Sequence, residues 1–408
     1  MIASPGPSAA PLADRPLRIG LDLLSLRPGV NGGGETYLRR LVDGLLAVDS
    51  RNDYVLYVTD RNRHLFETTL PNFRHVVCPI PAGPFEVYQR VAWEYSVLRW
   101  RARLDGLDLM HFPGNLVPPA FPVPTVLTVH DFSSQFYRET LGDAPTAWTA
   151  RALEAERVPS CHRADWLITI SDFTRQEVLA RTRVDPLRVR TVLLTPRKFE
   201  VPSLGGARER VRAYGVASPF VLSVATLSPH KNLRRLVEAF ALVSSGALSG
   251  RTLVLVGKPG RGGEAAAIRE RIAALGLQDR VVLPGYVPDH DLPAFYRAAE
   301  LYVFPSLYEG FGLPLLEAAA CGTPVAAARA GALPEVGDDA AVYFDPYDPA
   351  DIALAMSEIV TSPTLRAGLA ERGPARAGLF TAERTALDTI EVYRSAAARR
   401  GPPARRAG

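Results

Sequence analysis

Short apolar runs and helical patterns alternate along almost the whole chain, and this alternation restricts the fold more than any other feature. The runs are rich in Val, Ile and Leu on successive residues, which is typical of strands buried on both faces. They lie at residues 17–24, 54–58, 75–78, 107–112, 123–130, 164–170, 189–194, 220–224, 251–256, 281–287 and 301–304. Strands that alternate with helices predict parallel sheets covered by helices. Since a chain of 408 residues exceeds one compact core, we predict an α/β protein of two doubly wound domains facing a central cleft.

The predicted domain limits follow shifts in composition along the chain. A first domain spans residues 16–195, a second spans 219–380, and the stretch at 196–218 is a linker. A terminal helix is predicted at residues 381–397. Residues 1–15 are rich in Ser, Pro and Ala without the pattern of a signal peptide, and we expect a disordered leader. Residues 398–408 are expected to form a basic disordered tail.

Composition argues against several classes of protein. A hydrophobic content of 47% and a charged content of 22% are those of a globular protein, and no apolar run reaches the ~18 residues of a membrane span. Cys78, Cys161 and Cys321 are widely spaced, which fits a reducing cytoplasm better than a zinc site or a disulfide framework. The net charge of +4 comes with no motif for nucleic-acid binding, so no nucleic-acid partner is expected.

The stretch at residues 308–317, Tyr-Glu-Gly-Phe-Gly-Leu-Pro-Leu-Leu-Glu, follows the apolar run 301–304. Gly310 and Gly312 suit a loop that bends sharply or lets a ligand approach closely. Pro314 suits the first turn of a helix because it needs no N–H there. Because the helix starts without a Ser, Thr, Asp or Asn cap, its first N–H groups are predicted to bind an anion such as a phosphate.

Two carboxylates flank this predicted anion site, whose N–H groups would come from Leu313, Leu315 and Leu316. Glu309 enters from the loop, and Glu317 lies in the first turn, where side chains lean back toward the helix N-terminus. Ionised carboxylates only accept hydrogen bonds, so beside a phosphate ester their natural partners are sugar hydroxyls. Spacing alone leaves a plain alternative open, in which both are ordinary acids at a loop and a helix start.

Further candidates follow other predicted strands. The glycine loop with Gly32 and Gly33 is a weak signal by itself, because it is not a G-x-G-x-x-G fingerprint. His130 ends a strand, which is where open α/β sheets bind ligands, and His111 is a weaker candidate at the neighbouring strand end. Lys231 lies between a strand and a helix, where an ammonium group can neutralise a diphosphate. The alternatives are a structural histidine and an ordinary solvated lysine.

The sequences of these motifs resemble those of a known family. The Glu-x7-Glu stretch with Gly-Phe-Gly-Leu-Pro inside it closely resembles the signature of retaining glycosyltransferases of the GT-B fold, family 4. Residues 226–232, Thr-Leu-Ser-Pro-His-Lys-Asn, resemble its mannosyltransferase-like subtype. Over residues 17–395 the resemblance implies two Rossmann-like domains, with the terminal helix crossing back to the first. It implies transfer of a hexose, mannose as first guess, from a nucleoside diphosphate sugar to a hydroxyl acceptor, with GDP-mannose ahead of UDP- or dTDP-sugars.

The resemblance also implies roles for individual residues. His130, Glu309 and Lys231 would be catalytic: they would contact the transferred sugar, orient its hydroxyls and bind the diphosphate, respectively. Donor-binding residues would be Gly32, Gly33, His230, Tyr286, Val287, Phe311, Gly312, Leu313 and Glu317. Among these, Glu317 would bind the ribose, and Tyr286 and Val287 would line the base. We expect no metal ion and no cofactor, because Lys231 and helix N-termini would carry the phosphate charge.

The chain departs from the family pattern in two places. The arginine that often accompanies the lysine is replaced by Ala225 in one usual position and by His230 in the other. Phosphate neutralisation is therefore expected to be weaker, or shared with His230 or another arginine. The Asn-Gly-Val-Asp type turn that relatives place near residue 196 is also missing.

Other functions stay open at this point. A GT-B epimerase or phosphorylase would share the fold, and a non-catalytic subunit would bind the nucleotide sugar without turnover. The acceptor is predicted only as a hydroxyl on a small molecule, a glycan or a lipid-linked sugar. Residues 85–103, rich in aromatic residues and arginine, suit an acceptor-side or membrane-surface face, although a half-buried helix with a solvated basic side is favoured.

Overall fold

The structure is a computed structural model that describes residues 15–30, 32–83, 85–114, 116–141, 148–217, 219–260 and 263–400. Most of the predicted leader and tail therefore lie outside the described residues. Arg15, at the predicted end of the leader, forms an ion pair with Asp108 (Nη2–Oδ1 2.6 Å). The terminal helix continues to Arg400, three residues beyond its predicted end.

The first half of the chain forms a seven-stranded sheet in which every described pairing is parallel. Its strands are β1 (Arg18–Asp22), β2 (Asp53–Val58), β3 (Phe73–Val77), β4 (Leu109–Phe112), β5 (Thr125–Val129), β6 (Trp166–Thr169) and β7 (Val189–Thr191). Their order is β3-β2-β1-β4-β5-β6-β7, so the winding direction reverses between β1 and β4. The carboxyl ends of strands at such a reversal are where doubly wound sheets bind ligands.

The second half forms a six-stranded parallel sheet of the same kind. Its strands are β8 (Phe220–Val224), β9 (Thr252–Val256), β10 (Val281–Gly285), β11 (Leu301–Phe304), β12 (Val325–Ala328) and β13 (Ala341–Phe344). Their order is β10-β9-β8-β11-β12-β13, with the reversal between β8 and β11. The prediction of two doubly wound domains is confirmed.

Helices connect and cover these strands. They are α1 (Gly33–Val48), α2 (Glu86–Tyr95), α3 (Val97–Leu104), α4 (Ser133–Thr140), α5 (Trp148–Ala155), α6 (Arg157–Arg163), α7 (Asp172–Thr182), α8 (Leu204–Arg212), α9 (Leu233–Val243), α10 (Glu264–Ala274), α11 (Leu292–Ala298), α12 (Leu313–Ala320), α13 (Leu333–Gly337), α14 (Pro349–Thr361), α15 (Pro363–Ala377) and α16 (Ala382–Arg400). Strands β5 and β11 are buried at every position, which explains their uninterrupted apolar sequence.

The predicted linker at 196–218 contains a helix, α8, that the sequence analysis did not anticipate. Two adjacent glycines at its start suggested a loop, but the Ser203 hydroxyl caps the helix by accepting from Gly206 N at 3.2 Å. Ala207 and Val211, four residues apart, are fully buried, and the helix packs on α11 of the second domain. Tertiary packing thus overrides the weak helical preference of the glycines.

The last helix, α16, packs on α1 of the first domain. The approach is close, because a Cβ added to Gly44 of α1 would lie 2.1 Å from the Ala382 carbonyl oxygen. Within the first sheet, His111 Nδ1 lies 2.8 Å from the Tyr393 hydroxyl of α16. Within the described parts of the chain, no helix has both the length and the apolar character needed to cross a bilayer.

Candidate active site

Lys231 and Glu309 meet at the carboxyl ends of the neighbouring strands β8 and β11. Lys231 Nζ lies 2.5 Å from Glu309 Oε1, and the two side chains are 16% and 14% exposed. The ammonium group also lies 5.7 Å from the centre of the Phe304 ring. A strand reversal therefore places opposite charges side by side at the ligand-binding edge of the second sheet.

The loop after Glu309 is pressed against the first domain. A Cβ on Gly310 would lie 2.4 Å from the His130 carbonyl oxygen, so only glycine permits this approach. The Gly310 carbonyl accepts from Ser171 Oγ at 2.7 Å and from Thr174 Oγ1 at 3.2 Å, both at the start of α7. These contacts bring Glu309 and His130, on opposite domains, into one region of the cleft.

Helix α12 starts at Leu313, with Gly312 at φ 116° before it. In the part of the chain that the structure describes, no side chain caps its first N–H groups. The Leu315 N–H, predicted to be free, instead donates to Gly312 O at 3.0 Å. That expectation was wrong because the first turn closes on itself with a short i→i−3 bond, a common way for helix ends to pair their groups.

Glu317 lies just beyond the first turn of α12, in which the sequence placed it, because the helix begins at Leu313 and not at Pro314; its side chain is only 1% exposed. The Arg197 guanidinium binds it with two bonds, Nε to Oε1 at 2.7 Å and Nη2 to Oε2 at 3.1 Å. The buried Tyr296 hydroxyl donates to Oε2 at 3.1 Å. Burial disfavours the charge on Arg197, but the adjacent Glu317 carboxylate outweighs it and raises the pKa of Arg197. No sequence motif assigned a role to Arg197, and only the missing family turn pointed to the segment that carries it.

His130 lies at the end of β5, facing the cleft edge of the first domain. Its Nε2 is 2.8 Å from the Pro113 carbonyl oxygen and must donate, because a carbonyl only accepts. Tyr37 packs edge-on against the ring at 5.1 Å between centres. Burial is the main cause that lowers the pKa of His130, so the imidazole is neutral near pH 7.

His111 is a structural residue. Both ring nitrogens are engaged, Nδ1 with the Tyr393 hydroxyl and Nε2 with Thr128 Oγ1, each at 2.8 Å. Burial lowers the pKa of His111 to about 3, and its side chain is inaccessible. His111, the weaker of the two histidine candidates for ligand binding, therefore lies inside the sheet.

His230 lies beside Lys231 but brings no positive charge of its own. Burial, and then the Lys231 ammonium group, lower the pKa of His230 to about 2. Its Nδ1 hydrogen-bonds the hydroxyl of Tyr137, which belongs to α4 of the first domain. The expectation that His230 compensates for the missing arginine by charge is therefore not supported by the electrostatics of the structure.

The predicted base-binding residues differ in accessibility. Tyr286 is 49% exposed, and Lys258 Nζ lies 4.1 Å from the centre of its ring. The Val287 side chain, in contrast, is buried in the hydrophobic core. Both residues follow Gly285, the last residue of β10, and their side chains lie in different environments.

The other residues predicted to bind the donor also lie in different environments. The Phe311 side chain is buried and packs edge-on against Phe380 at 5.8 Å, so it faces the core. Leu313, in contrast, meets the first domain, because a Cβ on Gly33 would lie 3.6 Å from its Cδ1. Gly32 precedes α1 with φ 52°. The contact between Gly33 and Leu313 places this end of the glycine loop against the start of α12.

Several further contacts join the domains. Tyr308 OH donates to Glu177 Oε2 at 3.0 Å and accepts from Phe132 N at 3.0 Å. Lys258 Nζ donates to the Gly29 carbonyl at 2.8 Å. The structure therefore shows a cleft whose two walls are in contact around the Glu309 loop.

The acidic groups just before α11 pair with neighbouring side chains. Among the described residues, no cluster of three or more His, Cys, Asp or Glu side chains is arranged to hold a metal ion. Asp289 pairs with Arg197 (2.6 Å), and Asp291 accepts from the Tyr214 hydroxyl (2.5 Å) instead of capping α11 with its side chain. The three cysteines are buried free thiols.

The two doubly wound domains and the cleft between them are the architecture of GT-B glycosyltransferases. The family model described as Glycosyltransferase Family 4 matches residues 31–193, and the model described as Glycosyl transferases group 1 matches residues 211–376. The chain belongs to glycosyltransferase family 4.

Relatives support this assignment. The O-antigen chain mannosyltransferase B of Escherichia coli is 31% identical over 297 residues, which cover 72% of this chain and 76% of that protein. A D-inositol 3-phosphate glycosyltransferase of Salinispora arenicola is 32% identical over 343 residues, which cover 80% of this chain and 75% of the relative.

Solved structures share the fold. Sucrose-phosphate synthase from Thermosynechococcus elongatus superposes with a TM-score of 0.72 at 22% identity, over 93% of this chain and 98% of that one. Anabaena HepE, solved in complex with UDP and glucose, superposes with a TM-score of 0.69 at 19% identity, over 93% of this chain and 100% of that one.

Proposed function

We propose that the protein is a retaining, metal-independent hexosyltransferase that moves a hexose from a nucleoside diphosphate sugar to a hydroxyl acceptor. The observation that carries the proposal is the Lys231–Glu309 pair, 2.5 Å apart, at the strand reversal of the second domain. A charge pair that is mostly buried costs desolvation energy, so its place at a ligand-binding edge favours a functional role.

Each group has a task in the proposed reaction. When the bond from the anomeric carbon to the diphosphate oxygen breaks, negative charge builds on the phosphate, and Lys231 and the N-terminus of α12 stabilise it. Glu309 accepts hydrogen bonds from hydroxyls of the donor sugar. His130 contacts that sugar from the first domain. Front-face attack and a covalent intermediate both keep the anomeric configuration, and the proposal includes either route.

GDP-mannose is the first proposed donor, and UDP- and dTDP-sugars are the alternatives. Mannose is supported by the likeness to an O-antigen chain mannosyltransferase and by the Thr-Leu-Ser-Pro-His-Lys-Asn wording at residues 226–232. A uridine donor is supported by the likeness in fold to HepE, which was solved with UDP and glucose. The half-exposed Tyr286 ring beside Lys258 offers a stacking surface to any of these bases.

The acceptor is proposed to bind on the first domain, which faces Glu309 across the cleft. Helices α2 and α3 of that domain each bury one side, with Glu94 and Leu98 inside. They also expose Tyr88, Trp100 and Leu104, at 47%, 59% and 57%. This mixed surface fits an acceptor that is a small molecule, a glycan or a lipid-linked sugar at a membrane surface.

The proposal is tested by adding a panel of GDP-, UDP- and dTDP-sugars and following thermal stability and diphosphate release with and without a chelator. We expect one nucleotide family to raise the melting temperature, and the chelator to change neither signal. In Lys231→Ala and Glu309→Ala, release should fall by about 10²- to 10³-fold. Arg269→Ala and Glu270→Ala change exposed residues of α10 and serve as matched controls.

Other outcomes would identify other functions. Stabilisation without turnover would indicate a non-catalytic binding subunit. Formation of a new sugar nucleotide without an acceptor would indicate an epimerase, and a requirement for free phosphate would indicate a phosphorylase. If no nucleotide sugar stabilises the protein, the proposed function is wrong.

A further inference from the structure

Arg197 occupies an unusual place between the two domains. It follows β7, the last strand of the first sheet, and its side chain reaches α12 in the second domain. The side chain is 27% exposed, and its Nη1 also contacts Asp289 Oδ1 at 2.6 Å. The segment that carries it is the one that departs from the family turn.

The buried Glu317 carboxylate depends on this arginine. At 1% exposure, an ionised carboxylate needs a partner, because burying an unpaired charge away from water is strongly unfavourable. The guanidinium provides that partner in fork geometry, with one N–H on each carboxylate oxygen. A lysine could not reproduce this paired geometry, because its ammonium group lacks the planar fork of a guanidinium group.

The hydrogen bonds also limit how Glu317 can act. A carboxylate has about four acceptor positions. Oε2 uses two of them, for Arg197 Nη2 and the Tyr296 hydroxyl, and Oε1 uses one, for Arg197 Nε. One acceptor position on Oε1 therefore remains for a ligand hydroxyl.

We propose that Arg197 is a positioning residue for donor binding, which orients the Glu317 carboxylate so that Oε1 can accept one hydroxyl of the donor ribose. The inference rests on the proposed function, in which Glu317 is the ribose ligand. It adds a residue, contributed by the segment between the domains, on which recognition of ribose depends.

The test compares GDP and UDP with their 2′-deoxy and 3′-deoxy forms, using binding titrations on the wild type, Arg197→Met, Arg197→Lys and Glu317→Gln. The wild type should prefer the ribonucleotide over one deoxy form by about tenfold to a hundredfold, the range expected for a hydrogen bond to a charged group. Arg197→Met and Glu317→Gln should lose that preference. They should bind the ribonucleotide more weakly than the wild type does, and the deoxy form with the affinity of the wild type. Arg197→Lys keeps a charge without the fork and should lose most of the preference.

A purely structural role for Arg197 gives a different pattern. If Arg197→Met weakens ribonucleotide and deoxynucleotide equally, or if the wild type binds both equally, the inference is overturned while the proposed function stands. If the wild type binds none of GDP, UDP and dTDP, the proposed function itself fails. Arg210→Met removes a nearby exposed arginine that pairs with Asp291 (3.4 Å) and should leave the preference unchanged. Ligand-free thermal unfolding checks that each variant folds, and Arg197→Lys serves as the test if Arg197→Met does not fold.

Discussion

At the scale of single residues, the site is a balance of a few partly buried charges. Lys231 and Glu309 neutralise each other, Arg197 neutralises Glu317, and His230 is neutral beside Lys231. In the proposed reaction, Lys231 supplies the positive charge to the diphosphate once the phosphate competes with Glu309 for it.

The Lys231–Glu309 pair makes a prediction about stability. Lys231→Met or Glu309→Gln alone leaves one partner without its counter-charge and should lower the free energy of unfolding by about 1–3 kcal/mol. The double variant should lose clearly less than the sum of both, because it leaves no unpaired charge. Urea denaturation of the four proteins measures this coupling. Additive losses would show that the two groups do not interact in solution.

At the scale of elements, the loop between β11 and α12 is shaped by its neighbours in the first domain. Its glycine at position 310 lies against the end of β5, and its carbonyl is held by two hydroxyls at the start of α7. The loop therefore has its described position only while these elements of the two domains are in contact.

Gly310→Ala tests this arrangement. The added Cβ would lie 2.4 Å from the His130 carbonyl oxygen, so the loop must move away from β5. We expect a stability loss of about 1–3 kcal/mol and a fall in kcat/KM of at least tenfold, from thermal unfolding and the transfer assay. Gly205→Ala, in α8 with open space around its Cβ, is the control and should be neutral or slightly stabilising. Equal behaviour of the two variants would contradict the described loop contact.

At the scale of the whole molecule, the two domains are joined by contacts that a donor would have to accommodate. In one of these contacts, a carboxylate lies at the start of a helix. Glu335 accepts hydrogen bonds from the backbone N–H groups of Asp172 at 2.8 Å and Phe173 at 3.1 Å. These groups begin α7 of the first domain, whereas Glu335 belongs to α13 of the second. A carboxylate in this place stabilises the contact between the domains, by up to about 2 kcal/mol.

Glu335→Gln should shift the protein toward more open arrangements, because the amide has only one acceptor oxygen and no charge for the helix start. The measurement is the radius of gyration by small-angle X-ray scattering, which should increase in the donor-free variant and return toward the wild-type value with saturating donor. Glu270→Gln, on the exposed side of α10, is the control. An unchanged radius of gyration would show that this contact does not hold the domains together.

The sequence by itself determined the strands and several of the helices between them, although it missed α8 and ended α16 three residues early. Uninterrupted apolar runs indicated buried parallel strands, and Pro314 with the preceding glycines indicated a helix start, because these signals act within a few residues. The family motifs then pointed to Lys231 and Glu309, in the segments that follow β8 and β11, and to Glu317 in α12.

Only the tertiary structure decided which side chains meet and which are buried. Lys231 and Glu309 are 78 residues apart and Arg197 and Glu317 are 120 residues apart, so their pairing depends on strand order and domain contact, which no local pattern encodes. Burial likewise turned Val287 toward the core and left His230 neutral. Local signals set the elements, and the free energy of burying charged and apolar groups together selected the contacts between them.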